Sequence, residues 1–347
     1  EGYTADGGYR AARKVLTSMT PEQVIDEVSK ANLRGLGGAG FPAGKKWSFI
    51  PKATTKPKYL VVNADEGEPG TFKDRYIMER DPHALLEGMI IAAYAIDSHK
   101  AYVYIRGEYF RSADRLQRAI DEASSQGWLG ENIQGTGFDL DVVIHRGAGA
   151  YICGEETALL TSLEGGKGFP RLKPPFPAIS GLFACPTIVN NVETLACVPF
   201  ILRNGAEQFA GMGSERQGGT RLFCVCGHVV RPGVYEEPVS ITLRELIEKA
   251  GGVRDGNKLK AVIPGGISAK ILTADEIDVA MDFDSLRNAG SMARSNENPS
   301  VRLSAAVASP CQSRSPLRRS RVTSSMYLDG TTLPGSLPLL STPPWLE

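Results

Sequence analysis

At 347 residues, the chain is long enough for two or three domains with cores of their own. Lysine plus arginine and aspartate plus glutamate both total 39, so the net charge is zero and the composition does not favour a nucleic-acid partner. The sequence contains no apolar run of membrane-spanning length, and its six scattered cysteines without a C-x-x-C pair favour reduced thiols and no metal site.

The first recognisable element is a helix that leads into a glycine-rich loop. Thr20 is a suitable N-cap, Pro21 fits the first helical turn, and Gln23 completes a capping box. We expect Gly35 to end this helix. The loop at residues 35–44 contains five glycines, whose backbone N–H groups are able to surround an anion.

The other residues of this loop favour a phosphate with a planar ring attached. Lys46 adds a positive charge, and Phe41 and Trp47 offer flat apolar faces. The glycines also spell G-x-G-x-x-G, but a dinucleotide fingerprint requires a preceding strand, and here a helix precedes it. The alternative is a solvated linker, although linkers rarely interleave aromatic residues and lysines with their glycines.

Residues 58–63 predict a short strand that runs into an acidic loop. The loop, residues 63–70, combines an amide, Asn63, with the carboxylates of Asp65, Glu66 and Glu68. A loop directly after a strand is a typical ligand-binding position in α/β folds. An acidic surface turn remains an equally good interpretation of this segment.

Helices and strands then alternate, which predicts a parallel α/β core. Asp81 and Pro82 begin a helix with a regular apolar stripe, and residues 101–106 form a strand. Ser112 is expected to cap the next helix. Residues 138–144 alternate between apolar and polar side chains as a further strand.

A second glycine turn follows that strand. Residues 146–160 combine a strand end, a glycine turn and a helix N-terminus, an arrangement that suits an anion. Glu155 and Glu156 lie in the first turn of the predicted helix, where carboxylates favour the helix dipole. Paired carboxylates at a strand end favour a role in a site over simple capping.

Residues 164–179 are rich in glycine and proline, and we expect an ordered loop because proline restricts the unfolded chain. Arg171, Lys173 and Phe176 are interleaved there, and a cation beside an aromatic ring is able to hold a nucleotide base or phosphate. In residues 187–194, side-chain amides and hydroxyls are able to bind a ring edge.

A new unit begins after Asn204 and Gly205. Residues 220–225 predict a strand, Thr242 caps a short helix, and residues 260–263 predict another strand, which together suggest a small β-grasp module. The tail is rich in serine, proline and arginine and predicts disorder. The predicted division is an α/β domain at 1–203, a β-grasp domain at 204–290 and a disordered tail at 293–347.

With these motifs in hand, the chain closely resembles the flavin- and NADH-binding subunit of NADH:quinone oxidoreductase (respiratory complex I) and the related diaphorase subunits of NAD-linked hydrogenases and formate dehydrogenases. The resemblance covers about residues 5–292. It implies a Rossmann-like FMN- and NADH-binding domain followed by a β-grasp (soluble-ligand-binding, SLBB) domain. The motifs that carry it, in family order, are residues 35–47, 63–70, 147–159, 170–177 and 185–194.

The same resemblance implies that hydride passes from NADH to bound FMN without a protein nucleophile. It places the FMN phosphate and ribityl chain on Gly35, Gly37, Lys46, Asn190, Asn191 and Thr194. It lines the flavin-ring pocket with Asn63, Asp65, Glu66, Tyr151, Gly154 and Glu155. It surrounds NADH with Phe41, Phe49, Phe176, Glu68, Glu156 and Lys173. Gly38, Gly40 and Gly67 complete the binding loops, and the catalytic positions are Glu68, Tyr151 and Glu156.

The sequence departs from the family pattern in three places. Leu36 replaces a usual arginine, and Ala43 and Lys45 replace a threonine and an apolar residue. Family-like sequence stops near residues 281–286, and the four cysteines that hold the family's [4Fe–4S] cluster are not found in this sequence. Cys311 alone cannot hold a cluster, so we expect this chain to reduce FMN without passing single electrons onward.

Two classes of function therefore stay open: an NADH-oxidising flavoprotein subunit, and a module that binds FMN and NADH but passes no electrons on. A kinase is disfavoured because the glycine loop lacks a P-loop pattern. The resemblance implies partner subunits, especially a [2Fe–2S] thioredoxin-like subunit. It also implies a location on the cytoplasmic or mitochondrial-matrix side of a membrane, held there through partners. The parent complex and the terminal acceptor stay open.

Overall fold

A four-stranded parallel sheet forms the centre of the larger part of the molecule. The computed structural model describes residues 2–266, 269–291 and 300–304, the last of these as backbone. Strands β1 (Tyr59–Ala64), β2 (Lys100–Ile105), β3 (Asp141–Arg146) and β4 (Thr187–Asn191) lie in the order β3-β2-β1-β4, and every neighbouring pair is parallel. The Rossmann-like α/β prediction is confirmed.

Helices cover both faces of this sheet. They are α1 (Gly2–Ala5), α2 (Arg10–Ser18), α3 (Pro21–Lys30), α4 (Ala43–Trp47), α5 (Lys73–Arg80), α6 (Pro82–Ile96), α7 (Phe110–Ser125), α8 (Glu156–Leu163), α9 (Pro177–Ser180), α10 (Val192–Asn204) and α11 (Ala206–Gly211). Successive side chains of a strand point to opposite faces, so Leu60 and Val62 join the core with α6 and α10, while Val61 packs with Leu159 and Leu160 of α8. Among the described residues, no helix is both long and apolar enough to cross a membrane.

The strand order reverses between β1 and β4. The chain continues from β1 through α5 and α6 to β2 on one side, whereas β4 pairs with the other side of β1. At such a reversal, the loops leaving the carboxyl ends of the two strands diverge and open a crevice. The acidic loop leaves β1 at this point, and Asn190 and Asn191 end β4 beside it.

A smaller mixed sheet follows and agrees with the predicted β-grasp module. Its strands β5 (Thr220–Gly227), β6 (Gly233–Pro238), β7 (Ala261–Ile263), β8 (Leu272–Thr273) and β9 (Ser300–Ser304) lie in the order β6-β5-β9-β7-β8. Helices α12 (Leu243–Lys249) and α13 (Phe283–Asn288) accompany it. Phe223 and Leu246 belong to its core, and Thr242 caps α12 in a capping box with Glu245.

The sequence predicted the first helix correctly but not its end. The capping box of Thr20 and Gln23 is present, whereas α3 ends at Lys30 rather than near Gly35. Asn32 adopts a left-handed φ of 52°, which stops the helix. This turn allows Leu33 to enter the core.

One other prediction needs correction, and the sequence analysis missed two elements. Helix α7 begins at Phe110, and the hydroxyl of Ser112, which lies inside the helix, donates to Glu79 at 3.0 Å instead of capping. The sequence analysis did not predict α5, whose polar and apolar residues show no clear helical period. It also did not predict β4, because the amides of Asn190 and Asn191 are unusual in a buried strand.

The predicted disordered tail contains a short strand. Strand β9 is parallel to β5 and antiparallel to β7, so it fills the space between their hydrogen-bonding edges. Val301 and Leu303 alternate with polar residues, a pattern typical of strands that the composition of the whole tail concealed. The structure thus describes Ser300–Ser304 of the predicted tail as a strand, and the other residues of that tail lie outside those described.

Candidate functional site

A cavity lies where the strand order reverses between β1 and β4. It is bounded by the glycine loop, the acidic loop, the turn before α8 and the end of β4. Its lining residues are Gly37, Asn63, Asp65, Glu66, Gly67, Glu68, Thr71, Asp74, Gly154 and Asn191. The structure thus brings together residues from separate predicted motifs, and it adds Thr71 and Asp74, which the sequence analysis missed.

Internal hydrogen bonds shape the glycine loop. The Gly35 amide donates to the carbonyl of Phe41 at 2.8 Å, and the Leu36 amide donates to the hydroxyl of Thr194 at 2.8 Å. Gly35 and Thr194 therefore fix the loop conformation through these contacts. A Cβ on Gly37 would lie 3.0 Å from Cβ of Asn191, so glycine permits close approach of the loop to β4.

Gly38 and Gly40 both have positive φ angles, 103° and 62°, which favour glycine. A Cβ on Gly40 would lie 3.0 Å from the ring of Phe283 in α13. Gly40 thus packs against the smaller sheet's domain, at one side of the glycine loop.

The prediction that Trp47 offers a flat face to a ligand is wrong. Trp47 is completely buried, and its indole Nε1 donates to Oδ1 of Asn190 at 2.8 Å. This hydrogen bond ties the short helix α4 to β4. The side chain of Asn190 is consequently engaged within the protein.

The acidic loop begins with a local network around Asn63. Its side-chain amide donates to the carbonyl of Gly154 at 2.8 Å, and its Oδ1 accepts from the Asp65 amide at 3.1 Å. Arg106 Nη1 lies 3.2 Å from Oδ1 of Asp65, while the buried Oδ2 has no hydrogen-bond partner among the described residues. Burial raises the pKa of Asp65 to about 6, although Arg106 opposes the rise.

Glu66 is a structural cap as well as a cavity residue. Its carboxylate accepts from the amides of Asp74 and Arg75 at 2.9 and 3.1 Å, at the start of α5, and from the Tyr109 hydroxyl at 3.2 Å. Burial and the neighbouring Asp74 raise the pKa of Glu66 to about 7. Gly67 follows in a tight space where a Cβ would lie 2.5 Å from Nη1 of Arg106.

Glu68, which lines the cavity, is hydrogen-bonded to Tyr151. Tyr151 lies on the 3-10 turn Tyr151–Gly154 and donates its hydroxyl to Oε2 of Glu68 at 2.7 Å. Glu68 is buried, whereas Tyr151 is exposed. On the other side of Glu68, a Cβ on Gly266 would lie 2.4 Å from Oε1, so a turn of the smaller domain closes directly over this carboxylate.

Glu156 links three elements around the site. Its two oxygens lie 2.9 Å from Nζ of Lys46 in α4 and 2.6 Å from Nζ of Lys173 in the proline-rich loop. Burial raises the pKa of Glu156, but the two lysines outweigh it and lower the value to about 2. Glu155 caps α8 by accepting from the amides of Thr157 and Ala158 at 2.8 and 2.9 Å.

Three predicted aromatic residues keep exposed rings. Phe41 and Phe49 lie together, with ring centroids 6.0 Å apart, and Phe176 is exposed on the proline-rich loop. Exposed phenylalanine rings offer stacking surface for a planar ring.

Sequence analysis missed a buried ionic network beneath the cavity. Lys73 Nζ lies 2.6 Å from Asp74 and 2.5 Å from Glu193, and the three side chains are at most 3% exposed. The Asn191 amide donates to Oδ2 of Asp74 at 2.6 Å. Lys73 and Asp74 directly follow the acidic loop in sequence, so extending that motif by four residues would have included them.

The described cysteines do not form a metal centre. Cys153, Cys185, Cys197 and Cys224 are free thiols, and the described ranges contain no group of three or more His, Cys, Asp or Glu side chains that could hold a metal ion.

Comparisons with known proteins cover both parts of the chain. Residues 28–200 match the Nuo51 FMN-binding domain, and residues 221–290 match the SLBB domain. An NADH-quinone oxidoreductase subunit of Rhizobium meliloti is 61% identical over 291 residues, which are 84% of this chain and 69% of that protein. The corresponding NADH-quinone oxidoreductase subunit of Mycobacterium bovis is 57% identical over 289 residues, 82% of this chain and 65% of that protein.

A solved structure is also similar. An NAD+-reducing [NiFe]-hydrogenase in its H2-reduced state superposes with a TM-score of 0.73 at 38% identity, over 85% of this chain and 48% of the hydrogenase chain. This chain therefore spans about half of that structure, and between 65% and 69% of the two bacterial oxidoreductase relatives.

Proposed function

The chain belongs to the Nuo51 family of FMN-binding NADH-quinone oxidoreductase subunits, and on this premise we propose that it binds FMN and NADH and transfers a hydride from NADH to the flavin. The observation that carries the proposal is the cavity at the strand-order reversal, whose lining residues all lie within the range matched by the FMN-binding domain. The predicted loops converge on it from separate parts of the sequence.

The residues of the cavity fit a polar ligand with a ring. The buried Oδ2 of Asp65 and the buried hydroxyl of Thr71 have no hydrogen-bond partner among the described residues, so a ligand is able to satisfy them. The glycine loop approaches Asn191 so closely that any Cβ on Gly37 would crowd it, which leaves backbone rather than side chain facing the site. These features support FMN as the ligand.

When bound, FMN accepts the hydride, so the protein supplies binding and orientation and no nucleophile. We propose that Asn63, Asp65 and Gly154 contact the flavin ring, and that the glycine loop with Asn191 holds its ribityl phosphate. Glu68 and Tyr151 orient each other through their 2.7 Å hydrogen bond. Rigid placement of two rings accounts for much of the acceleration in such a reaction.

Lys173 is proposed to hold a polar part of NADH. Glu156 is a carboxylate at neutral pH, with its pKa lowered to about 2, and it holds Nζ of Lys173 at 2.6 Å. The rings of Phe41 and Phe49 are exposed. The fixed cation favours the pyrophosphate, and the phenylalanines favour the adenine.

The test begins with the anaerobic chain loaded with FMN. NADH is expected to bleach the flavin absorbance, and ferricyanide is expected to restore it. A flavin that stays oxidised with excess NADH would contradict the proposal. Lys173→Ala should raise the NADH concentration needed for bleaching while retaining FMN. Lys167→Ala, on the same loop and with its Nζ 5.0 Å from the Phe169 ring, is the matched control.

We also propose that the chain works among other subunits, including a [2Fe–2S] thioredoxin-like subunit, on the cytoplasmic or mitochondrial-matrix side of a membrane. Both bacterial relatives are named as subunits of an oxidoreductase, which supports an assembly. Exposed apolar side chains at Phe169, Leu172, Ile179 and Phe183 support a partner surface. Failure to co-purify with such a partner after co-expression would contradict this proposal. The described residues do not fit the family's [4Fe–4S] cluster, and no step depends on one.

A further inference from the structure

We propose that Thr71 is a further ligand-contact residue, whose hydroxyl hydrogen-bonds to a neutral polar part of bound flavin, either its ribityl hydroxyls or its ring edge. The inference rests on the proposed function and extends it to a residue outside the sequence-predicted site. Thr71 lines the cavity together with Asn63 and Asp65.

The hydroxyl of Thr71 is buried, without a hydrogen-bond partner in the described part of the chain. Only 7% of the residue's surface is exposed, and Oγ1 makes no hydrogen bond to any described residue. Buried hydroxyls in folded proteins are almost always paired, because removal from water without a replacement partner costs free energy. A ligand in the cavity would supply the missing partner.

The backbone on both sides holds Thr71 in place. Its amide donates to the carbonyl of Glu68 at 3.0 Å, which closes the acidic loop. The next amide, of Phe72, donates to the thiol sulfur of Cys224 at 3.2 Å, and α5 begins at Lys73. Thr71 is therefore anchored between a closed turn and a helix.

The negative charge of the cavity wall determines which part of the flavin lies next to Thr71. Asp65, Glu66, Glu68 and Asp74 line the same cavity as Thr71. A phosphate dianion would be repelled by the charged members of this set. A neutral group that both donates and accepts suits the setting, because a threonine hydroxyl is able to do both. The phosphate consequently belongs at the glycine-loop side.

Two matched pairs of variants isolate the hydroxyl. Thr71→Val keeps the shape of the wild-type residue and removes the hydroxyl, and Thr71→Ala differs from Thr71→Ser only by the hydroxyl. Affinity is measured on the full-length apo-protein by quenching of flavin fluorescence, with FMN and with riboflavin, which lacks the phosphate. Thermal unfolding of each apo-protein reports on folding.

We expect Thr71→Val to weaken both flavins by about 3- to 10-fold relative to wild type, since a tenfold loss corresponds to about 1.4 kcal/mol and one neutral hydrogen bond contributes at most about this much. Thr71→Ala should show a similar loss relative to Thr71→Ser. The apo-protein of Thr71→Val should unfold at the same or a higher temperature, because an unpaired buried hydroxyl has been removed.

Equal flavin affinity in wild type and Thr71→Val, or in the Ala and Ser variants, would overturn the proposal while leaving the proposed function intact. A loss confined to FMN and absent with riboflavin would place the contact at the phosphate and would overturn it too. A wild-type chain that binds neither flavin would refute the proposed function and this inference together.

Discussion

Replacing Lys73 with methionine tests whether the buried ionic network beneath the cavity stabilises the fold. Lys73 Nζ contacts the carboxylates of Asp74 and Glu193 at 2.6 and 2.5 Å, and all three side chains are shielded from water. Removing one partner of a buried ion pair costs about 3–5 kcal/mol, because the remaining charge is buried without compensation. We expect Lys73→Met to lower the free energy of unfolding by this amount at pH 7.

The pH dependence of this loss gives a second, independent check. Burial already raises the pKa of Glu193 even with Lys73 opposing the rise. Without the lysine, the pKa of Glu193 in the folded protein should rise further above its unfolded value. The folded variant then binds protons more readily than the unfolded chain, so its stability relative to wild type should recover as the pH falls.

Urea unfolding followed by circular dichroism at several pH values measures both effects. Lys30→Met is the matched control, because Lys30 lies 2.6 Å from Asp26 but both side chains are more than 60% exposed. The control should leave stability nearly unchanged. If Lys73→Met costs no more than the control, or if its deficit grows on acidification, then the buried network does not stabilise the fold as argued.

Two further variants test the cavity loops. Gly37→Val should weaken FMN binding at least about tenfold, because its Cβ would press on Asn191. The control Gly211→Val has no atom near its Cβ position and should retain flavin. Fluorescence titration with FMN measures both affinities. Glu156→Gln should destabilise the protein by about 1–3 kcal/mol at pH 7. That stability is present above the ordinary pKa of 4.5 and is lost as the pH falls toward about 2, so the difference from wild type in urea unfolding should narrow with acid and should not widen.

Local signals in the sequence predicted much of the secondary structure. The capping boxes at Thr20 and Thr242 depend on residues three positions apart, and both are present. The strand at 58–63 shifted by one residue to Tyr59–Ala64. Helix α3 ended early because a left-handed Asn32 turns the chain, a choice that the packing of Leu33 favours and local propensity does not reveal.

The less predictable features depend on contacts between distant segments. The local sequence of the glycine loop does not reveal whether its tryptophan is exposed or buried. Trp47 is held inside by a hydrogen bond to Asn190, which lies 143 positions away in the chain. The contact of Lys73 with Glu193 also joins distant segments, which the pairing of β1 with β4 brings together. Resemblance to the family named the cavity residues that local reasoning left ambiguous, whereas Thr71 emerged only from burial and an unpaired hydroxyl.

Contacts across the two domains explain why the smaller domain matters to the cavity. The Leu222 amide of β5 donates to Glu193 at 2.7 Å, so the strand extends the ionic network that holds Asn191. Phe283 packs against the glycine loop at Gly40, and Gly266 packs against Glu68. The glycine loop, the acidic loop and the start of α10 are each in contact with the smaller domain. Because loops alone retain considerable conformational freedom, these contacts give the cavity a rigid wall that the parallel sheet by itself does not provide.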